Sequence, residues 1–282
     1  MLICLENDSI SLEISDCGAE MQRILDKRNR REVLWRSDPD VWSSCAPWLF
    51  PVVGQLRNHS VRIRGTEYAI PMHGFASKSA FECRRLSDAE AVFTLRANAE
   101  TLKVYPWPFL LEIRYRLEDA AVCIRVRISC EEDRDMDFSF GAHPGFMCAE
   151  GDALAFQADE RLCVHRLEPS THLLAPEHVE IPAGITLREE LFDDDAMLIR
   201  APRSTCASLL RQDGAGVRFE FGQVPWVGVW SKRRKGLKYV CIEPWFGVDD
   251  PVDAVGDMEQ KLDVVHLPAG EVFEMNMRIS PF

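Results

Sequence analysis

Between Leu111 and Ile128 the chain alternates apolar and polar residues so regularly that few structures other than a β-hairpin can accommodate it. Leu111, Ile113, Tyr115 and Leu117 are separated by Glu112, Arg114 and Arg116. After Glu118-Asp119-Ala120-Ala121, Val122, Ile124, Val126 and Ile128 alternate around Cys123, Arg125 and Arg127. A period of two sends successive side chains to opposite faces, so this pair has one buried and one wet face, as antiparallel sheets do. The pattern returns at Ile10, Leu12 and Ile14, at Phe219 and Phe221, and from Phe273 through Met275 and Met277 to Ile279. Helical periodicity is scarce, and only Thr186 to Phe192 and Asp257 to Leu262 are expected to hold short helices. Many short strands without alternating helices predict an all-β, antiparallel sandwich or barrel. With no internal repeat and no Gly/Ser linker, one domain over residues 1–282 is the simplest organisation.

Charge and cysteine usage narrow the function classes. A net charge of −12 and a pI near 5.1 argue against nucleic acid or an anionic membrane as partner. Met1-Leu2-Ile3-Cys4-Leu5 runs straight into Glu6, Asn7 and Asp8, without the basic start and long apolar stretch of a signal peptide or membrane anchor. Ten cysteines are scattered singly, with no Cys-x-x-Cys pair and no zinc spacing, so reduced thiols in a cytoplasmic protein are expected and no metal site. Neither a Walker loop, a Gly-x-Gly-x-x-Gly, a Gly-x-Ser-x-Gly nor a His-Glu-x-x-His occurs, which leaves no motif for a cofactor.

What remains is acid–base equipment near strand ends. In Gly141-Ala142-His143-Pro144-Gly145-Phe146, Pro144 biases His143 toward an extended backbone, and the glycines permit close approach. A purely structural histidine fits this stretch as well. Pro71-Met72-His73-Gly74-Phe75 supplies a second imidazole beside a glycine and an aromatic. In Val240-Cys241-Ile242-Glu243-Pro244-Trp245, a carboxylate ends an apolar run, and Pro244 is expected to stop the strand directly after it. Burial there would disfavour the charged form of Glu243, which suits a general base. A solvent-facing Glu at a strand tip is the alternative. Trp226 and Trp230 offer indole faces on which sugar rings dock or cores pack. Asp193-Asp194-Asp195 lacks the spacing of an EF-hand loop.

These segments, in their order, resemble the aldose 1-epimerase (mutarotase) family, in particular its LacX-like bacterial branch. Gly18-Ala19-Glu20-Met21, Glu32-Val33-Leu34-Trp35, Asp38-Pro39 with Trp42, Pro47 to Gly54, His73-Gly74-Phe75-Ala76, Gly141 to Phe146 and Ile242-Glu243-Pro244-Trp245 carry the resemblance. It implies a large antiparallel β-sandwich with a sugar cleft across one sheet. It also implies a cofactor-independent isomerase acting on a monosaccharide, with His143 as general acid on the ring oxygen and Glu243 as general base on the anomeric hydroxyl. His73, Gln55, Arg57, Phe146, Trp230 and Trp245 are the residues expected to face the sugar, and either a monomer or a homodimer is compatible. Relatives often carry arginine where this chain has Gln55 and Ser77. Glutamine supplies a hydrogen bond but no charge or guanidinium fork, which favours a neutral sugar over a phosphorylated one. The same departures keep a second reading open, a non-catalytic sugar-binding protein of this fold. Glycoside hydrolysis is a third, requiring a second carboxylate such as Asp195 or one from Asp249-Asp250.

Overall fold

In the computed structural model, which describes residues 1–282, the hairpin pairs Phe109–Glu118 with Ala121–Cys130 in unbroken antiparallel register, Leu117 opposite Val122. Its tight turn is made by Asp119 and Ala120, Asp119 adopting a φ of 51°. The apolar set is buried and the arginine set faces out, as the alternation requires. This hairpin lies inside a nine-stranded sheet, flanked by Val272–Pro281 on one side and Glu90–Arg96 on the other. The second large sheet has eight strands: in spatial order Leu174–Pro182, Arg161–Leu167, Met197–Arg200, Trp226–Trp230, Tyr239–Phe246, Phe140–Ala142 and Trp48–Leu49, with Gly145–Met147 also pairing onto Tyr239–Phe246.

The two sheets enclose one continuous apolar core. Phe146 meets Phe219 across it at 5.6 Å between ring centroids, and Phe138, Phe140 and Phe246 all pack on Phe273. All large pairings are antiparallel, so the molecule is an all-β sandwich. No helix has even two turns. Where helices were expected, Thr186 ends a strand and only Glu189–Phe192 and Met258–Gln260 coil, each as a short 3-10 turn. Seven and six residues cannot meet the cost of nucleating an α-helix without a long apolar stripe to dock.

The strand carrying Glu243 also differs from expectation. Pro244 does not stop it, because Tyr239–Phe246 continues through the proline to Phe246. The reason lies in its neighbours. Phe140–Ala142 and Gly145–Met147 pair with it in the same register on either side of His143-Pro144. The Ile242 N–H reaches the Pro144 carbonyl at 3.2 Å, so alternation points the Pro244 nitrogen toward the same neighbour, where the ladder is interrupted. The proline removes one donor from that ladder, and the strand runs through because its other edge pairs without a break along Trp226–Trp230.

Candidate active site

Register places His143 opposite Glu243. With Gly141 facing Trp245 and Gly145 facing Cys241, His143 falls on the rung between, flanked by Pro144 and Pro244. The backbone of that rung turns outward: the His143 N–H donates to the Pro47 carbonyl at 3.1 Å, on the far side. Such a non-hydrogen-bonded antiparallel pair brings its side chains closest together. The result is a contact of 3.0 Å between His143 Nε2 and Glu243 Oε2, with side chains 11% and 1% exposed.

Strand parity then assigns the surroundings. Val240, Ile242 and Phe246 point into the sandwich core, while Tyr239, Cys241, Glu243 and Trp245 line the opposite face. On the adjoining strand Trp226, Gly228 and Trp230 share that face, opposite Trp245, Glu243 and Cys241 in turn. Gly228 leaves room there, since a Cβ would sit 3.2 Å from both the Glu243 Cβ and the Trp245 ring, tighter than an ordinary van der Waals contact. Two indoles and an imidazole enclose His143. Trp42 lies 5.2 Å away and stacks on Tyr239, Trp230 stands edge-on at 5.6 Å, and His73 stands edge-on at 5.8 Å.

His73 is held by strain and a backbone donor. Its φ is +63°, and the following Gly74 approaches Phe50 so closely that a Cβ would lie 2.1 Å from the Phe50 oxygen. The Gly54 N–H donates to His73 Nδ1 at 3.1 Å, which fixes the neutral tautomer with its proton on Nε2. Although part of the ring reaches water, protein encloses it. That desolvation, with the nearby His143 adding to it, holds His73 down to about 3. His73 is therefore a neutral donor at physiological pH.

Burial pushes the Glu243 carboxyl up, against the pull of His143, while Asp195 adds to the rise. The His143 Nδ1 and Trp245 Nε1 atoms are buried without hydrogen-bond partners. Unpartnered buried polar atoms are costly, and several gathered at one cleft mark a place built for a polar ligand. His143, Cys241 and Glu243 have donor atoms within 4.8 Å of one another.

The remaining expected sugar contacts divide. Trp230 and Trp245 lie on the cleft face, Trp245 with its ring 6.2 Å from His73. Phe146 does not. It is fully buried against Phe219 in the core, because it follows Gly145, which occupies the cleft-facing parity. The Gln55 side chain turns to its own neighbourhood, donating to the Leu56 carbonyl at 2.9 Å and meeting His59 Nδ1 at 2.7 Å. Arg57 is exposed, and its guanidinium donates to the Ala254 carbonyl at 2.7 Å. Asp195 contacts His172 Nδ1 at 3.2 Å. Asp249 accepts the Gln55 N–H at 2.6 Å, and Asp250 is paired with buried Lys261 at 2.8 Å. Trp42, Tyr239 and Gly228 were not among the residues expected to face a sugar. Parity with Glu243 would have found Tyr239, but nothing local singles out Trp42 from a loop.

A family model, Aldose 1-epimerase, matches residues 1–280. The chain belongs to the aldose 1-epimerase family. Its relatives include the plasmid-encoded protein LacX of Lactococcus lactis subsp. lactis, 29% identical over 282 residues and 94% of each chain. A galactose mutarotase related enzyme from Lactobacillus acidophilus superposes with a TM-score of 0.95 at 31% identity, covering 100% of this chain and 97% of that one. A galactose mutarotase-like protein from Lactobacillus casei, 23% identical and fully covered, shares the fold with a TM-score of 0.94. Membership in the family, in its LacX-like branch, supports a protein of the epimerase or mutarotase kind with a sugar as substrate.

Proposed function

We propose that this epimerase-family protein interconverts the α and β anomers of a free, neutral aldose, with His143 as general acid and Glu243 as general base. The observation that carries this reading is the 3.0 Å contact of a buried carboxylate with an imidazole, on one rung of the cleft-facing sheet. The two sugar oxygens that exchange protons, the ring oxygen and the anomeric hydroxyl, sit on the same carbon. An acid and a base that are themselves neighbours can reach both once the sugar parts them.

Protonated His143 gives its Nε2 proton to the ring oxygen while Glu243 removes the proton of the anomeric hydroxyl. The C1–ring oxygen bond breaks and the C1 carbonyl forms. Rotation about C1–C2 presents the other carbonyl face, and closure returns each proton to its donor. No net proton is consumed. His73, neutral with a free Nε2–H, and the unpartnered Trp245 Nε1–H are suited to hold hydroxyl oxygens, and Trp42 and Trp230 to cover the apolar sugar faces. The ten free thiols fit a reducing compartment such as the cytoplasm, and no helix is long and apolar enough to cross a membrane.

Saturation-transfer NMR of anomer exchange over a panel of aldoses tests the reading. Glu243→Gln and His143→Asn should each lower kcat by roughly 10²- to 10⁴-fold with KM changed far less. Wild-type protein that accelerates exchange of no aldose would sink it. Sugar-induced thermal stabilisation without acceleration would instead favour a sugar-binding protein, a reading that the inward-turned Gln55 amide keeps alive. Hydrolysis is disfavoured because Asp195, Asp249 and Asp250 are all committed to other partners.

A further inference from the structure

The rung that holds His143 and Glu243 continues across the sheet. Glu243 faces Gly228, Gly228 faces Leu198, Leu198 faces His165, and His165 faces His178 on the edge strand. At that far end a second group of potential ligands gathers. Cys163 and His165 lie two apart on Arg161–Leu167 and so share a face, and His178 stands directly across from His165.

We propose that Cys163, His165 and His178 form a transition-metal site of the zinc class, separate from the acid–base pair. Their donor atoms all lie within 4.8 Å of one another, and Cys163 Sγ is 3.8 Å from His165 Nε2. Tetrahedral zinc with Zn–S of about 2.3 Å and Zn–N of about 2.05 Å needs a sulfur–nitrogen edge of roughly 3.6 Å, so only a small contraction is required. The His165 and His178 rings lie 5.2 Å apart at 35°, leaving space between them rather than a stacked contact.

His165 is also oriented as a ligand should be. Its Nδ1 faces the Ala175 carbonyl at 3.4 Å, which places the proton there and leaves the Nε2 lone pair toward Cys163. The edge of Trp226 at 5.5 Å fixes the ring from a third side. Arg200, opposite Cys163 in the register, directs its guanidinium over the Trp226 ring 5.6 Å from the centroid. With three protein ligands the fourth position belongs to water. The distance from Glu243 is three strand spacings, about 14 Å, too far for the metal to act on a sugar at the acid–base pair. What it would do is fasten the edge strand Leu174–Pro182, whose middle is exposed on both faces, to its neighbour.

Cobalt(II) titration of chelator-treated full-length protein tests the site. One saturable equivalent is expected, with a thiolate-to-cobalt charge-transfer band and the intense d–d bands of tetrahedral cobalt. Cys163→Ser should abolish the charge-transfer band. His178→Ala, at an exposed edge-strand position, should weaken binding by more than ~100-fold, beyond the usual effect of an outer-shell change. His143→Asn should change neither. Zinc should raise the Tm of wild type and not that of His178→Ala. Absence of the charge-transfer band, its persistence in Cys163→Ser, its loss in His143→Asn, or an equal zinc effect on the Tm of both proteins would each overturn the site.

Discussion

Asp249 is the residue whose environment makes the sharpest demand. It is 3% exposed, and a Cβ added to Gly54 would collide with its carboxyl group. Desolvation pushes its carboxyl up to about 6, against the opposing Gln55 N–H and the more distant Lys261. A carboxyl that is harder to ionise when folded binds a proton that the unfolded chain has already lost. Between the unfolded value near 3.8 and the folded value near 6, the native state therefore holds more protons, and stability falls as pH rises. The stabilisation is complete below pH 4 and gone above about 6, with a ceiling of roughly 3 kcal/mol. Asn keeps the acceptor for the Gln55 N–H without the titration. Urea unfolding at a series of pH values should show Asp249→Asn gaining on wild type from pH 4 to 7, and two parallel stability curves would refute the assignment. Glu243, raised for the same reason, gives activity an acidic limb displaced above the ordinary carboxylate range, because the base must be ionised to work.

At the scale of elements, the site depends on what the strands leave out as much as on what they carry. Gly228 lies on the central strand beside Glu243, and Gly141 faces Trp245, where a Cβ would stand 2.5 Å from the indole Cδ1. Gly228→Val should displace the Glu243 carboxylate and the Trp245 ring from the same face. The expected loss is at least about tenfold in kcat, with a stability cost of about 1–3 kcal/mol for overpacking. Unchanged kcat beside an intact fold would show that the glycine is not what makes room for the pair. How much of this was legible follows from range. Period-two alternation is local, so the Phe109–Cys130 hairpin could be read directly, Asp119 turn included. His143 and Glu243 could each be picked out by a neighbouring proline and by family resemblance. That they oppose one another could not, since pairing between strands 100 residues apart in sequence is written in no local pattern. Phe146 was misread although the parity was available: Gly145 takes the cleft side, so the next residue must face the core. Pro244 was misread because a proline need not end a strand whose other edge is paired without a break, here along Trp226–Trp230.

For the molecule as a whole, charge separates two kinds of sugar. The chain carries 33 basic and 45 acidic residues, and the net −12 surrounds a cleft whose inner groups are a carboxylate, three tryptophans and two imidazoles. Gln55 turns its amide to the Leu56 carbonyl and Arg57 is tied to Ala254, so neither supplies a cation to the pair. A phosphorylated sugar would have to approach against the long-range field, and its KM would depend steeply on ionic strength as salt screens the repulsion. A neutral aldose feels no such field. On the proposed reading its recognition would rest on hydrogen bonds to His73, His143, Glu243 and Trp245 and on indole faces, interactions over distances much shorter than the ~8–10 Å screening length at ordinary ionic strength. KM for the best aldose should therefore change by less than about twofold between roughly 0.05 and 0.5 M salt. A KM that falls severalfold as salt is added would mean the true substrate is an anion and would require a cationic group to reach the cleft.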